Sequence, residues 1–266
     1  MGYLVQPKAQ VRLSDWDPND TGEFKGNKQR AQAASEDLNR KLEDLQELLY
    51  VEHKHKVLVV FQAMDTGGKD GAIHHAFKGL DPNGARVANF KEPTTEEKDH
   101  DFLWRVHRQV PAKGELVLFN RSHYEEVLIA RVHKLVPPEV WGKRFDQINE
   151  FEQMLAENGT TILKFYLHID REEQRRRLQA RLDEPKKRGK FHLGDLEDRK
   201  LWNEYVQAYE DVLNKNSTAV APWYIVPANH KWYRDFVISS ILVDTLEGLH
   251  MKYPEPEENL DGVVVE

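Results

Sequence analysis

Apolar runs at Val57 to Phe61, Ala85 to Phe90, Glu115 to Phe119, Thr161 to His168 and Trp223 to Val226 punctuate an otherwise polar chain. Each is short and nearly continuous rather than alternating, the pattern of parallel strands covered on both faces. Between them the periodicity predicts helices over Asn27 to Tyr50, with Leu38, Leu42, Leu45 and Leu49 on one face, and over Gly68 to Lys78, Thr94 to Arg108, Ser122 to Val132 and Pro138 to Glu157. Further helices are predicted at Arg171 to Leu182, Asp195 to Leu213 and Lys231 to His250. Thr94 with Glu97 has the form of a capping box, and Asp81-Pro82-Asn83-Gly84 that of a turn. Strand-helix alternation implies an α/β fold, a doubly wound parallel sheet of about five strands with right-handed crossovers. The tail from Tyr253 to Glu266, with Pro254 and Pro256 among acids, is expected to pack loosely.

Composition narrows the class. At 266 residues and 39% apolar content, one α/β core over residues 1–266 is expected. The absence of cysteine excludes disulfides, thiolate zinc sites and a cysteine nucleophile, and suits a reducing cytoplasm. Met1 to Leu13 lacks a signal-peptide core and no run approaches the ~20 apolar residues of a membrane span, so no membrane association is expected. A net charge of −7 argues against a general nucleic-acid binder.

The first strand runs into Ala63-Met64-Asp65-Thr66-Gly67-Gly68-Lys69-Asp70-Gly71 and then into a helix. This is the layout of a phosphate-binding loop, in which glycines expose backbone N–H groups and lysine reaches the phosphates. Ala63 stands where the first glycine is usual, and Asp70 where a metal-binding hydroxyl is usual. Asp65 is either a turn-former or a carboxylate that takes over metal binding. Lys69 at a helix N-terminus opposes the helix dipole and calls for an anion, such as a phosphate held with Gly67 and Gly68.

The third strand ends in Asn120-Arg121, the Walker B place, with Glu125 and Glu126 one turn on. Arg121 can neutralise a transferred phosphoryl group, and either Glu can bind Mg²⁺ through water, steer an acceptor, or simply satisfy the helix dipole. His123 fits packing better than catalysis. A basic segment follows later: Arg175-Arg176-Arg177, Arg181, then Lys186-Lys187-Arg188-Gly189-Lys190. Arg177 and Arg181 share a helix face, and the acids nearby are too few to pair with Arg181 and the loop behind it, which suits a lid over polyanions. After the second strand, Lys91 and Arg105 either grip an acceptor phosphate or lie on the surface.

Ala63-Met64-Asp65-Thr66-Gly67-Gly68-Lys69-Asp70-Gly71, His100-Asp101-Phe102-Leu103-Trp104-Arg105, Phe119-Asn120-Arg121-Ser122-His123-Tyr124-Glu125 and Ala221-Pro222-Trp223-Tyr224 together resemble the polyphosphate kinase 2 family. The resemblance runs from Leu13-Ser14-Asp15-Trp16 to the helix after Lys231-Trp232-Tyr233-Arg234-Asp235. It implies a P-loop kinase-like fold with a helical lid at about residues 181–200. It also implies an enzyme that moves phosphoryl groups reversibly between inorganic polyphosphate and AMP, ADP and ATP with Mg²⁺, for which Mn²⁺ can stand in. The family's Walker A carboxylate and lysine match Asp65 and Lys69, its Walker B arginine matches Arg121, and its lid cations match Arg181, Lys187 and Lys190. Asn120 and Glu125 resemble the subgroup that accepts both AMP and ADP. Gly189 departs from the tryptophan common before the lid lysine. Homo-oligomers, dimers or tetramers, are implied too.

The mechanism expected from this is direct in-line transfer, with Asp65 and Glu126 or Glu125 holding Mg²⁺, and Arg177 joining the phosphate-binding cations. Lys91, Arg105, Asn120 and Glu125 would face the nucleotide. An ATP-dependent nucleotide kinase of the thymidylate kinase type shares the loop and lid. A non-catalytic polyanion- or RNA-binding module would use the same cations but has no use for Asp65.

Overall fold

A computed structural model describes residues 2–255. In chain order its elements are α1 (Lys28–Glu52), β1 (Lys56–Ala63), α2 (Lys69–Ala76), β2 (Ala85–Asn89), α3 (Thr95–Asp99), α4 (Trp104–His107) and β3 (Leu116–Asn120). They continue with α5 (Ile129–Val132), α6 (Pro138–Glu157), β4 (Thr160–His168), α7 (Arg171–Asp183), α8 (Gly194–Lys200), α9 (Trp202–Asn216), β5 (Trp223–Pro227) and α10 (Lys231–Glu247). All five strands are parallel, in the order β2-β3-β1-β4-β5. The fold is therefore the doubly wound α/β sheet of P-loop kinases. β1 is central: the chain crosses from it to the edge strand β2, returns to β3 beside β1, and then passes to β4 and β5 on the other side. The crevice at the carboxyl ends of β1 and β3 is thus a topological switch point, where ligands bind in such sheets.

The continuous apolar runs form these strands because no strand face meets water: Val57 to Phe61 and Leu116 to Phe119 are fully buried. α1, α2 and α10 pack together, as do α5, α6 and α9, and the two groups flank the sheet. The register sets Phe61 opposite Asn120, and Arg121 N–H donates to the Phe61 carbonyl, which puts Arg121 beside the loop that leaves β1.

Several helices are shorter than their periodicity predicts, each for a local reason. Thr94 to Arg108 is two helices: the predicted capping box starts α3, but the Asp101 carboxylate accepts from the Leu103 and Trp104 N–H groups and begins a new turn. Ser122 to Val132 is a 3₁₀ turn at His123–Glu126 followed by α5, because Leu128 leaves helical geometry (φ −105°, ψ −88°). Asp195 to Leu213 breaks at Leu201 between α8 and α9, and α10 ends at Glu247 ahead of Gly248. The N-terminal segment, for which no element was expected, covers the edge of β5: Val5 N–H donates to the Trp223 carbonyl and Ile225 N–H to that of Tyr3. Of the tail, residues 256–266 lie outside the described residues.

One buried polar cluster interrupts the core. The Lys164 ammonium in β4 donates to Glu152 of α6 (2.5 Å), to the Tyr124 hydroxyl (2.7 Å) and to the Asn216 carbonyl (2.6 Å). Glu152 also accepts from Tyr124 (2.8 Å) and pairs with His123 Nε2 (3.1 Å). Burial works to raise the Glu152 pKa, but Lys164 and His123 overcome it and hold the carboxyl below its ordinary value. The cluster ties the turn after β3 to α6, β4 and the end of α9. Lys164→Met, which leaves the carboxylate buried without its cation, is expected to cost about 3–5 kcal/mol of stability, measured as a drop in urea midpoint.

Candidate active site

The loop after β1 is shaped by its carbonyls. The Ala63 carbonyl accepts from the Tyr209 hydroxyl (2.8 Å) and Lys69 Nζ (3.3 Å), and that of Met64 from Gly67 N–H (2.9 Å). Asp65 accepts from Gln174 (3.2 Å), Thr66 and Gly67 from Arg177 (3.0 and 2.9 Å), and Gly68 from Arg234 (3.1 Å). Thr66 (φ 62°) and Gly68 (φ 99°) take left-handed backbone to achieve this. A Cβ on Gly67 would stand 2.5 Å from Cβ of Ala63, so the bare Gly67 is what lets Ala63 replace the usual first glycine. At the start of α2 the backbone N–H groups lack helical partners, which suits them to phosphate.

Arg121 projects from a left-handed residue (φ 61°) between two carboxylates, 3.8 Å from Asp65 and 3.9 Å from Glu125. Burial disfavours its charge, yet Glu125 and Asp65 raise its pKa overall. Burial, with Arg121 nearby, lowers that of Lys69. Glu125 is raised, by burial first, against the pull of Arg121 and Lys69. Asp198 of α8 lines the same small pocket as Asp65, and burial followed by that like charge raises its pKa. On its other side Asp198 meets His133 Nε2 at 2.6 Å. Asp65 and Asp198, with Glu125 on the same pocket, bring hard oxygen donors together here. That suits Mg²⁺, which takes one or two carboxylates and completes its shell with water and substrate phosphates rather than a protein cage. No cluster of three or more metal-ligating side chains exists among the described residues.

Two large cavities meet at Arg121, beside a small one lined by Asp65, Glu125 and Asp198. The first, about 620 Å³, holds Asp65, Gly67, Gly68 and Lys69 together with Arg181, Lys187 and Lys190 of the basic segment, as the sequence predicts. It adds two cations of α10, Lys231 and Arg234. Arg181 is partly tied within the segment, to the Lys190 carbonyl and Asp195 (both 3.0 Å). Arg177 lines this cavity but corrects the expectation of a phosphate ligand, because its guanidinium is occupied by Glu173 and by backbone carbonyls. Asn120 also faces this side: its amide donates to Asp70 and to Asn89, both at 3.0 Å.

The second cavity, about 790 Å³, contains Lys91, Arg105, Glu125 and Glu126. Arg105 is half engaged, with the Lys91 carbonyl (2.8 Å) and Glu97 (3.2 Å). Glu126 is turned away from Asp65 and the expected metal-ligand role: Arg144 of α6 takes its carboxylate at 2.5 Å. Sequence reasoning missed Asp198, Arg144 and the loop contacts of Gln174 and Tyr209. None carries a local motif, since each reaches the site from an element remote in sequence.

Comparison with known proteins places this geometry. The family model described as Polyphosphate kinase 2 (PPK2) matches residues 25–254. The chain is 60% identical to the AMP/ADP-polyphosphate phosphotransferase of Meiothermus ruber, over 99% of each chain. It is 43% identical to the ADP-polyphosphate phosphotransferase of Rhodopseudomonas palustris, over 95% of this chain and 91% of that one. The crystal structure of polyphosphate kinase 2 from Arthrobacter aurescens TC1 superposes with a TM-score of 0.90 at 41% identity, covering 96% of this chain and 94% of that one.

The raised Glu125 pKa yields a stability prediction. A carboxyl whose folded pKa exceeds its unfolded one stabilises the fold fully below the ordinary value of 4.5, and that contribution is lost as pH rises through the folded value. Glu125→Gln stays neutral throughout. Its melting temperature without ligands at about pH 8 is expected to equal or exceed that of the unsubstituted protein, a difference that closes toward about pH 4 in a thermal unfolding series.

Proposed function

Because this chain belongs to the polyphosphate kinase 2 family, we propose that it transfers phosphoryl groups from inorganic polyphosphate to AMP and ADP, reversibly and without a phosphoenzyme. The observation that carries this reading is the asymmetry of the two cavities joined at Arg121. One is a track of cations, including Lys69, Lys187, Lys190 and Lys231, suited to a donor made only of repeated phosphates. The other is larger and adds Phe102, Val106 and Arg105 to the Phe90 and Lys91 that line both, as a nucleotide with an apolar base and charged phosphates requires.

In this reading the loop amides and Lys69 hold the terminal donor phosphates at the start of α2. Arg121, fixed between Asp65 and Glu125, faces both cavities and neutralises charge on the phosphoryl group in transit. Lys91 and Arg105 orient the acceptor phosphate so that its oxygen lies in line with the bond to be broken. The segment 181–200 acts as a lid that excludes water from the transfer. Asp65 and Asp198 would hold Mg²⁺, which supplies further neutralisation of phosphate charge when bound.

Purified protein given polyphosphate, Mg²⁺ and AMP without ATP is expected to yield ADP and then ATP by chromatography. Absence of product, with turnover only on ATP, would instead establish an ATP-dependent nucleotide kinase. Lys69→Ala and Arg121→Ala are each expected to lose about 100- to 10,000-fold in turnover while keeping the native circular dichroism spectrum.

A further inference from the structure

Arg177 sits in a cavity of cations, yet none of its donors is left for a ligand. A guanidinium has five N–H groups. Nε donates to Glu173 (2.6 Å), Nη1 to the carbonyls of Thr66 (3.0 Å) and Gly67 (2.9 Å), and Nη2 to those of Ala228 (2.5 Å) and Asn229 (3.4 Å). The planar fork thus joins three pieces of chain: α7, the loop after β1 and the connection between β5 and α10.

The consequence follows from peptide planarity. In a trans peptide the C=O and the next N–H point in opposite directions. Drawing the Gly67 carbonyl onto Arg177 turns the Gly68 N–H the other way, and that N–H has no acceptor among the described residues. Gln174, one turn earlier on the same helix, holds the Asp65 carbonyl in the same manner. Arg181, one turn later, lines the cation track. A single face of α7 therefore sets both the loop and the start of the basic segment.

We propose that Arg177 is a positioning residue for phosphoryl transfer. It clamps the Thr66 and Gly67 carbonyls so that the Gly68 amide faces the donor phosphate, and it makes no phosphate contact of its own. The inference rests on the loop being the phosphate cradle.

Arg177→Lys discriminates the two roles, because lysine keeps the charge but has no fork with which to reach Glu173 and both carbonyl pairs. The clamp predicts a fall in kcat of about 30-fold or more with KM for polyphosphate within about threefold. Near-normal kcat, or a loss confined to KM, overturns it. If the variant does not fold, ¹⁵N NMR of the unsubstituted protein with inorganic triphosphate decides. The Gly68 amide signal is expected to move and the Arg177 side-chain signals to stay. Movement of both overturns the clamp alone, whereas movement of neither removes the cradle and the clamp with it.

Discussion

Everything at the site depends on which way six consecutive carbonyls point. From Ala63 to Gly68 each carbonyl has a donor within the protein, drawn from the loop itself and from α7, α9 and α10. A loop so held needs little rearrangement when an anion arrives. Preorganised donors contribute most where water is excluded and charge develops. This also explains why the loop tolerates its departures from the usual motif. Its shape is imposed from outside by side chains, so Ala63 suffices where the pattern expects a glycine, provided that Gly67 beside it stays bare.

The strands and the loop were legible in the sequence because both are local. A fully buried parallel strand must be apolar throughout, and β1, β3 and β4 announce themselves by that constraint even with Lys164 set into β4. Asp65, Lys69, Arg121 and the cations Arg181, Lys187 and Lys190 were legible by spacing and resemblance, and all line the one crevice. What was not legible is which partner a long side chain chooses. Arg177 and Arg181 share a helix face and look alike in sequence. Both line the cleft, but one ends on backbone carbonyls brought in from residues 66–67 and 228–229, and the other on Lys190 and Asp195 of its own segment. The same holds for Glu125 and Glu126, which are adjacent but diverge to Arg121 and Arg144. Helix breaks at Asp101 and Leu201 escaped the periodicity because a single residue's backbone or side chain decided them.

The site has a stiff back and a charged front. Behind Arg121, the Lys164, Glu152 and Tyr124 cluster fixes the turn that carries Glu125, with each ion satisfied by several partners. In front, Lys69 and Glu125 are held with pKa values displaced toward their neutral forms by burial. Asp65 and Glu125 oppose the shift of Lys69, and Arg121 and Lys69 oppose that of Glu125, so the charges of the crevice are mutually dependent rather than independent attachments.

Asn120 and Asp70 make a similar dependence heritable. The Asn120 amide gives one proton to Asp70 and one to Asn89, so the acidic residue in the first turn of α2 is answered by a neutral donor. A carboxylate at position 120 has no proton to give and would confront Asp70 with like charge. The two positions are therefore free to drift only as a pair, or with a proton or cation recruited between them. In any lineage of such chains the residue that starts α2 and the residue that ends β3 should carry correlated histories, although 50 positions separate them in sequence.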